Sequence, residues 1–339
     1  MTTLANTIET TTPCTDILQQ SRYHSLTLYL PNAEYLFILL FQLIIIFSIV
    51  NNLLSILTCL RLSIRITNLG VYLILLSLSN LIRCIFLETS LICDTQSLQR
   101  TVVFYLSAIS LNILNFSAMW YSSMIACERL FIECFNYALY ATRQRACLLS
   151  SMLFIFVLLT QIPQVLLYFG RFSASTVTPI LAKTVKCVEF STVLVTCVLH
   201  ILSSLFVLKN ISVHKVYINF GEQEYWFVWR QQMKKHMDFF IPPLCYILCI
   251  LPWYLFKHVI YSCYHVSPAT TLRLYFILIA LANIPFTMTF LIYIYPSKVY
   301  MNEFKRSLAV LRTKLCIYRS NREITGSDMS NITQISSTI

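Results

Sequence analysis

The strongest constraint on the fold is a long, mostly apolar stretch of sequence at residues 101–130. It carries no charged side chain before Glu128 and Arg129, near its end. As an α-helix, the roughly 27 residues before Glu128 would extend about 40 Å, which exceeds a hydrocarbon core of about 30 Å. Asn112 and Asn115 are three residues apart and therefore share one helix face. The stretch predicts a membrane-spanning helix with a polar face and a charged end.

Six further apolar segments resemble this one in length. The predicted spans are 35–60, 68–92, 101–127, 146–169, 190–208, 238–262 and 272–295, and Glu189 and Lys209 bound the fifth. Only 12% of the residues are charged and the mean hydropathy is +0.69, whereas about a quarter of the residues in soluble domains are charged. The runs are also about twice the roughly ten-residue strands of membrane barrels. We therefore expect an all-α membrane protein, a seven-transmembrane helix bundle.

The positions of Lys and Arg predict how the chain is oriented. If the N-terminus is outside, seventeen of these residues lie on the inner side and seven on the outer side, and Arg83 lies within the membrane. Because cytoplasmic loops carry an excess of Lys and Arg, we expect an extracellular N-terminus and a cytoplasmic C-terminus. The net charge of +11 lies in short loops and the tail. It therefore favours contact with the lipid bilayer rather than with nucleic acid.

The chain divides into four predicted regions. They are an extracellular N-terminus (1–34), a seven-transmembrane domain (35–296), a juxtamembrane amphipathic helix (297–316) and a disordered cytoplasmic tail (317–339). Apolar residues from Phe304 to Leu315 recur at spacings of 4, 3 and 4, with basic residues between them, which favours a helix on the inner membrane surface. Cys316 is either a palmitoylation site or an unmodified thiol. The Ser and Thr residues of the tail are either phosphorylated docking sites or simply solvated.

Four of the 13 cysteines lie outside the membrane on the predicted outer side. They are Cys14, Cys93, Cys187 and Cys263. This compartment is oxidising, so two disulfides are expected, and four cysteines allow three pairings. We favour Cys93 with Cys187 and Cys14 with Cys263. No spacing of Cys and His suggests a metal site, and no cofactor is expected.

Short polar motifs follow one another along the predicted helices. They are Val50-Asn51-Asn52-Leu53, Leu76-Ser77-Leu78-Ser79-Asn80, Glu128-Arg129-Leu130, Cys249-Ile250-Leu251-Pro252 and Thr289-Phe290-Leu291-Ile292-Tyr293. With seven spans and an outer N-terminus, this order resembles the rhodopsin-like G-protein-coupled receptors. The family's motifs are Gly-Asn, Leu-Ala-x-x-Asp, Asp-Arg-Tyr, Cys-Trp-x-Pro and Asn-Pro-x-x-Tyr. The resemblance covers about residues 35–316 and is closest to invertebrate FMRFamide-type neuropeptide receptors.

The chain departs from the family pattern at several positions. Asn80 stands where the family usually has Asp, so sodium modulation is not expected. Leu130 replaces the aromatic residue after Arg129. Phe104 stands where the family has its disulfide cysteine, and Gln232 stands near the acidic partner of the sixth helix.

The resemblance implies a set of residues for activation and G-protein coupling. They are Asn80, Glu128, Arg129, Pro252 and Tyr293. In the family, the acid holds the Arg until the sixth helix swings outward and the Arg turns toward the G protein. Pro252 should bend the sixth helix, and Pro242-Pro243 should either add a second break or mark the start of the helix. The implied partners are a heterotrimeric G protein and, through the tail, arrestin.

Arg83 is a charge in the middle of a predicted span, where lipid exposure would cost roughly 2.5–3.5 kcal/mol. It must therefore face the bundle, with Asn112, Asn115 and Asn283 as candidate partners, either as a ligand site or as a structural hydrogen-bond hub. The resemblance implies an outer pocket for an extracellular ligand, in which a peptide is suspected. Its candidate residues are Arg83, Asn112, Asn115, Trp253, Tyr254, Lys257 and Tyr275, and the alternative for the aromatic residues is packing. His200 is assigned to packing rather than to a proton switch.

These patterns predict a signalling receptor of the plasma membrane that is not an enzyme. The alternative is a polytopic transporter or channel, but the sequence has no internal repeat and no paired intramembrane charges. The sequence also has no His-Glu-x-x-His or Gly-x-Ser-x-Gly motif.

Overall fold

The described part of the chain is almost entirely helical. A computed structural model describes residues 33–95, 102–135, 143–170, 178–218, 225–260, 268–310 and 312–313, and no strand occurs in these ranges. Six of the helices are long and apolar enough to cross a membrane. The predicted all-α membrane architecture is therefore confirmed, with six helices of spanning length in these ranges.

The helices follow the predicted segments in order. They are α1 (Ala33–Cys59), α2 (Leu62–Arg65), α3 (Asn68–Thr95), α4 (Val102–Phe135), α5 (Arg143–Thr160), α6 (Ile162–Gly170), α7 (Thr178–Ile218), α8 (Tyr225–Lys235), α9 (Met237–Cys249), α10 (Leu251–Leu255), α11 (Pro268–Thr287) and α12 (298–310). Two π-helical turns, Phe256–Ile260 and Phe290–Ile294, extend α10 and α11. The apolar part of the seventh segment, Arg273–Thr287, is shorter than the six spans.

Helix α4 lies at the centre of the bundle. Its contacts with α3 and with α7 are the two most extensive between helices in the described part of the chain. The buried face of α4 is rich in small residues, among them Ser117, Ala118, Ser122 and Ser123. Small side chains let helix backbones approach closely. The stretch of sequence that most constrains the fold is therefore also the helix around which the others pack.

The outer surface of the bundle is apolar and its interior is partly polar. Large side chains on this surface are at least half exposed, for example Phe47 at 57%, Ile85 at 66% and Phe156 at 50%. Asn52 and Asn80 are fully buried. Lipid tails can solvate such an apolar surface, whereas extended apolar patches are rare on soluble monomers. This arrangement matches a multi-pass membrane protein.

The prediction that the fifth span covers 190–208 is wrong in its length. Helix α7 has 41 residues, Thr178–Ile218, and its apolar part is Ile180–Lys215. The prediction treated Glu189 as a boundary, but its carboxylate is buried and accepts a hydrogen bond from Lys257 at 2.6 Å. A paired charge can remain inside a bundle, so Glu189 does not end the helix.

The longer helix also changes the setting of Cys187. This residue was predicted to lie in a loop and to pair with Cys93, but it lies on α7 as an exposed free thiol. The predicted Cys93–Cys187 disulfide is therefore not formed in this structure. Cys14 and Cys263, which form the other predicted pair, lie outside the described residues, as does Cys316.

The predicted effects of the prolines in the sixth segment are partly wrong. Pro242 and Pro243 lie inside α9, and the interruption occurs earlier, at His236 between α8 and α9. Helix α9 begins at Met237, so the two prolines remove hydrogen bonds only from the carbonyl groups of its first turns. A turn at Ile250 separates α9 from α10, two residues before Pro252, and its backbone keeps α-helical angles (φ −90°, ψ −45°). The bend of the sixth helix at Pro252 stays a prediction.

Helix α12 packs against the second π-helical turn and against the turn that follows α1. The ring of Phe304 lies 4.8 Å from that of Phe290, and the Nε of Arg61 donates to the hydroxyl of Ser307 at 2.9 Å. The predicted amphipathic segment 297–316 is helical over 298–310. Its last residues lie outside the described part of the chain.

Candidate functional site

Polar side chains form three clusters in the part of the bundle that the structure describes. We name the two ends of the bundle after Arg129, near the end of α4, and Lys257, in the π-helical turn that follows α10. The first cluster surrounds Arg83 on α3, the second surrounds Asn80 on the same helix, and the third surrounds Ser122 on α4. Polar groups buried in a membrane bundle need partners, so each cluster can be checked by its hydrogen bonds.

The Arg83 cluster joins α3, α4 and α11. The guanidinium Nε donates to Asn115 Oδ1 at 2.6 Å, and Nη2 donates to Asn283 Oδ1. The carbon at the centre of the guanidinium lies 4.7 Å from the ring centre of Phe286. Asn115 and Asn283 are thus confirmed as partners of Arg83. Asn112 is not, because its amide donates to Gln164 on α6 at 3.0 Å.

Aromatic residues lie toward the Lys257 end. Trp253 and Tyr275 meet edge to face with ring centres 5.1 Å apart, which joins α10 to α11. The ammonium of Lys257 lies 5.9 Å from the ring centre of Tyr254. Tyr254 also lies close enough to Arg83 and Glu189 to interact electrostatically with both. The predicted pocket residues therefore surround one end of the bundle, although Asn112 faces α6.

Lys257 was predicted as a cation of the pocket, but its charge is already compensated. Its Nζ lies 2.6 Å from Glu189 Oε2, and the Nε2 of His258 lies 3.2 Å from the same oxygen. The Glu189 side chain is only 6% exposed, whereas Lys257 keeps 41% of its side chain exposed. This pair fixes α7 to the sixth segment.

The Asn80 cluster ties the first, second and seventh segments together. The amide of Asn80 donates to Thr289 at 3.0 Å and to Asn52 Oδ1 at 3.3 Å. The amide of Asn52 donates to the carbonyl of Phe286 at 3.1 Å. Asn80 therefore holds α3 to α1 and to the residues that follow α11.

The Ser122 cluster joins four segments near the Arg129 end. The hydroxyl of Ser122 lies 2.9 Å from His200 Nε2 on α7 and within hydrogen-bond distance of the hydroxyl of Tyr293. Tyr246 on α9 stacks on His200, with ring centres 5.1 Å apart and an interplanar angle of 21°. All four residues are buried. The third, fifth, sixth and seventh segments thus meet at one small cluster.

A small cavity opens beside the Ser122 cluster. Its lining includes Ser122, Arg129, His200, Pro242, Pro243 and Tyr293. Its volume of about 10 Å³ is close to the space needed by one water. Glu128 and Arg129 are both buried at this end. The cavity therefore brings Arg129 next to the part of α9 that contains the two prolines.

Several residues of the site were not singled out for function from the sequence. They are Ser122, His200, Tyr246, Phe286 and Thr289 of the clusters, and Glu189 of the pair with Lys257. Ser122 lies seven residues before Arg129, which places both on one face of α4, and His200 is an ionisable side chain inside an apolar span. These signals were present in the sequence. The assignment of His200 to packing was incomplete, because it also bonds to Ser122.

We expect Ser122→Ala to lower the free energy of unfolding by about 1 kcal/mol, because it leaves polar atoms of His200 and Tyr293 buried without this partner. Ser123→Ala is the matched control. Ser123 is also fully buried, but among the described residues its hydroxyl bonds within α4 alone, to the carbonyl of Met119 at 3.0 Å. Unfolding in detergent micelles measures both. Equal losses in the two variants would contradict a role for Ser122 between helices.

Comparison with known proteins adds no family to this description. No family model matches the chain, and no curated protein matches it.

Proposed function

We propose that this chain is a rhodopsin-like G-protein-coupled receptor of the plasma membrane. In this proposal the bundle spans the membrane seven times, with α11 and its π-helical turn as the last span. The N-terminus is extracellular and the Arg129 end faces the cytoplasm, in agreement with the excess of Lys and Arg on that side. The proposed ligand is extracellular, with a peptide as the first candidate.

One observation carries the proposal. Arg129, Tyr293 and the proline-containing part of α9 all line one cavity at the Arg129 end. An outward movement of α9 would widen this cavity and uncover Arg129 for a G protein. The turn at Ile250, two residues before Pro252, provides a pivot for that movement in this proposal, because proline is a common cause of helix bending.

A continuous series of contacts supports coupling between the two ends. The guanidinium of Arg83 lies over Phe286, and the ring of Phe286 meets Tyr246 edge to face at 6.3 Å. Tyr246 in turn stacks on His200, which bonds to Ser122. A ligand that changes the position of Phe286 would therefore change the packing next to the cavity. In our proposal Asn80 holds α3 and the seventh segment in register during this change.

The proposal predicts that Arg129→Ala lowers G-protein activation at least about tenfold, a coupling free energy of ~1.4 kcal/mol. Nucleotide exchange is measured with the purified chain in lipid nanodiscs and a panel of heterotrimeric G proteins. It is measured without ligand and with pools of short peptides. Arg65→Ala is the control, because Arg65 is an exposed basic residue of α2 that lines no part of the cavity.

Two results would contradict the receptor proposal. One is equal nucleotide exchange by the unmodified chain and Arg129→Ala. The other is no exchange with any heterotrimer or peptide pool. Solute flux in proteoliposomes without G protein would then favour the transporter or channel alternative. Arrestin binding to the phosphorylated tail is tested separately, by pull-down before and after kinase treatment.

A further inference from the structure

Arg83 is a buried cation whose bonds are to neutral groups. Its side chain lies inside the bundle and the residue is only 4% exposed. Its two hydrogen-bond partners, Asn115 and Asn283, are amides. Among the residues that the structure describes, no carboxylate forms an ion pair with Arg83. A buried charge without a counter-charge is expensive, so this arrangement needs an explanation.

The nearby carboxylates have other partners. Glu189 is paired with Lys257 and His258. Glu88, on the same helix as Arg83, accepts hydrogen bonds from Gln42 on both oxygens at 2.9 Å. Neither of these carboxylates therefore compensates the positive charge of Arg83, whereas Glu189 compensates that of Lys257.

The guanidinium also has a free donor. Nε and Nη2 are both occupied, but the buried Nη1 has no hydrogen-bond partner in the described part of the chain. A guanidinium presents its donors in a planar fork, so an anion at Nη1 can also reach the second hydrogen of Nη2. The two amides hold the fork in one orientation.

The surroundings of Arg83 leave one position for an anion. Phe286 covers one face of the guanidinium at 4.7 Å, and Asn115, which accepts from Nε, is half-buried. Nη1 is buried, so an anion reaches it only when the side chains around it move apart.

We propose that Arg83 binds a single negative charge, a carboxylate or a halide, at Nη1 between α3, α4 and α11. Asn115 and Asn283 position the guanidinium and do not supply charge. Where the carboxylate belongs to the signalling ligand, the inference rests on the proposed receptor function. Where the anion is a free halide, it is independent of that function. The binding test uses no G protein, so its failure would leave the coupling proposal to its own test.

The experiment follows thermal unfolding of the full chain in lipid nanodiscs as one anion replaces another at constant sodium and ionic strength. Sulfate is the reference, chloride and bromide form the halide series, and acetate, hexanoate and benzoate form the carboxylate series. We expect a saturable rise in unfolding temperature of about 3 °C in one series or both. A rise in unfolding temperature that saturates with halide concentration identifies a free-ion site. Stabilisation by hexanoate and benzoate alone identifies a ligand headgroup site.

Three variants test whether the response belongs to Arg83. Arg83→Gln removes the charge and should abolish the anion response. Asn283→Asp supplies a carboxylate beside Nη2 and should also abolish it while Arg83 is kept, so the test survives if Arg83→Gln does not fold. Lys186→Gln is the control, since Lys186 is an exposed cation of α7, and its anion response should be unchanged. A chain that responds to neither series, or a response that persists in Arg83→Gln or Asn283→Asp, overturns the proposal.

Discussion

Replacing Gly70 by alanine is expected to lower the free energy of unfolding by about 2 kcal/mol. A Cβ at this position would lie 2.1 Å from the carbonyl oxygen of Ile64 and 2.9 Å from its carbonyl carbon. Overpacking destabilises by about 3 kcal/mol at the upper end of its usual range. The better helix propensity of alanine offsets about 1 kcal/mol of this, which leaves a net loss of about 2 kcal/mol.

The backbone around Gly70 cannot easily move to relieve this contact. Thr67 donates to the carbonyl of Ile64 at 2.7 Å and accepts from the backbone N–H of Gly70 at 3.0 Å. The clash is also with main-chain atoms rather than with the end of a flexible side chain. The short α2 and the start of α3 are thus held together as one turn, and a side chain on Gly70 must disrupt it.

Unfolding in mixed micelles measures the loss, with Leu78→Ala as the control on the same helix. Leu78 is 45% exposed on the outer surface, so its truncation should cost less than about 1 kcal/mol. An alanine at position 70 that leaves stability unchanged or raises it would mean that α2 and α3 are not packed as described.

Asn80→Leu is expected to lower the free energy of unfolding by about 2 kcal/mol. Leucine has the same number and branching of side-chain heavy atoms as asparagine but removes the amide that donates to Thr289 and Asn52. The substitution also leaves Asn52 Oδ1 buried without this donor. A buried polar group without a partner costs about 1–3 kcal/mol.

A double-mutant cycle with Thr289→Val isolates the direct contact between α3 and the seventh segment. We expect a coupling energy of about 1 kcal/mol, within the range of measured hydrogen bonds between membrane helices. Thr184 is the control partner, because it is exposed on α7 and its hydroxyl bonds within that helix to Ile180 at 3.0 Å. Its coupling to Asn80 should stay below about 0.5 kcal/mol. Equal coupling of Asn80 to both threonines would contradict the predicted contact.

Much of the site was predictable because buried polar groups in a membrane bundle have few alternatives. Arg83 had to face inward, and two of its three candidate partners, Asn115 and Asn283, bond to it. Asn80 was singled out through a family resemblance, and the structure gives it contacts with two other segments. Asn112 shares a helix face with Asn115, but the approach of Gln164 gives it another partner. Periodicity identifies a face and does not identify what packs against it.

The sequence by itself determined that this chain is helical and membrane-like, and approximately where its helices lie. Apolar run length is a local property, so it survives any arrangement of the helices. Only the tertiary structure decided that Glu189 stays inside α7, since its partner Lys257 is 68 residues away in the chain. It likewise decided that Lys257 is neutralised while Arg83 is not. The physical reason is that charge compensation depends on distances between helices, which no single segment contains.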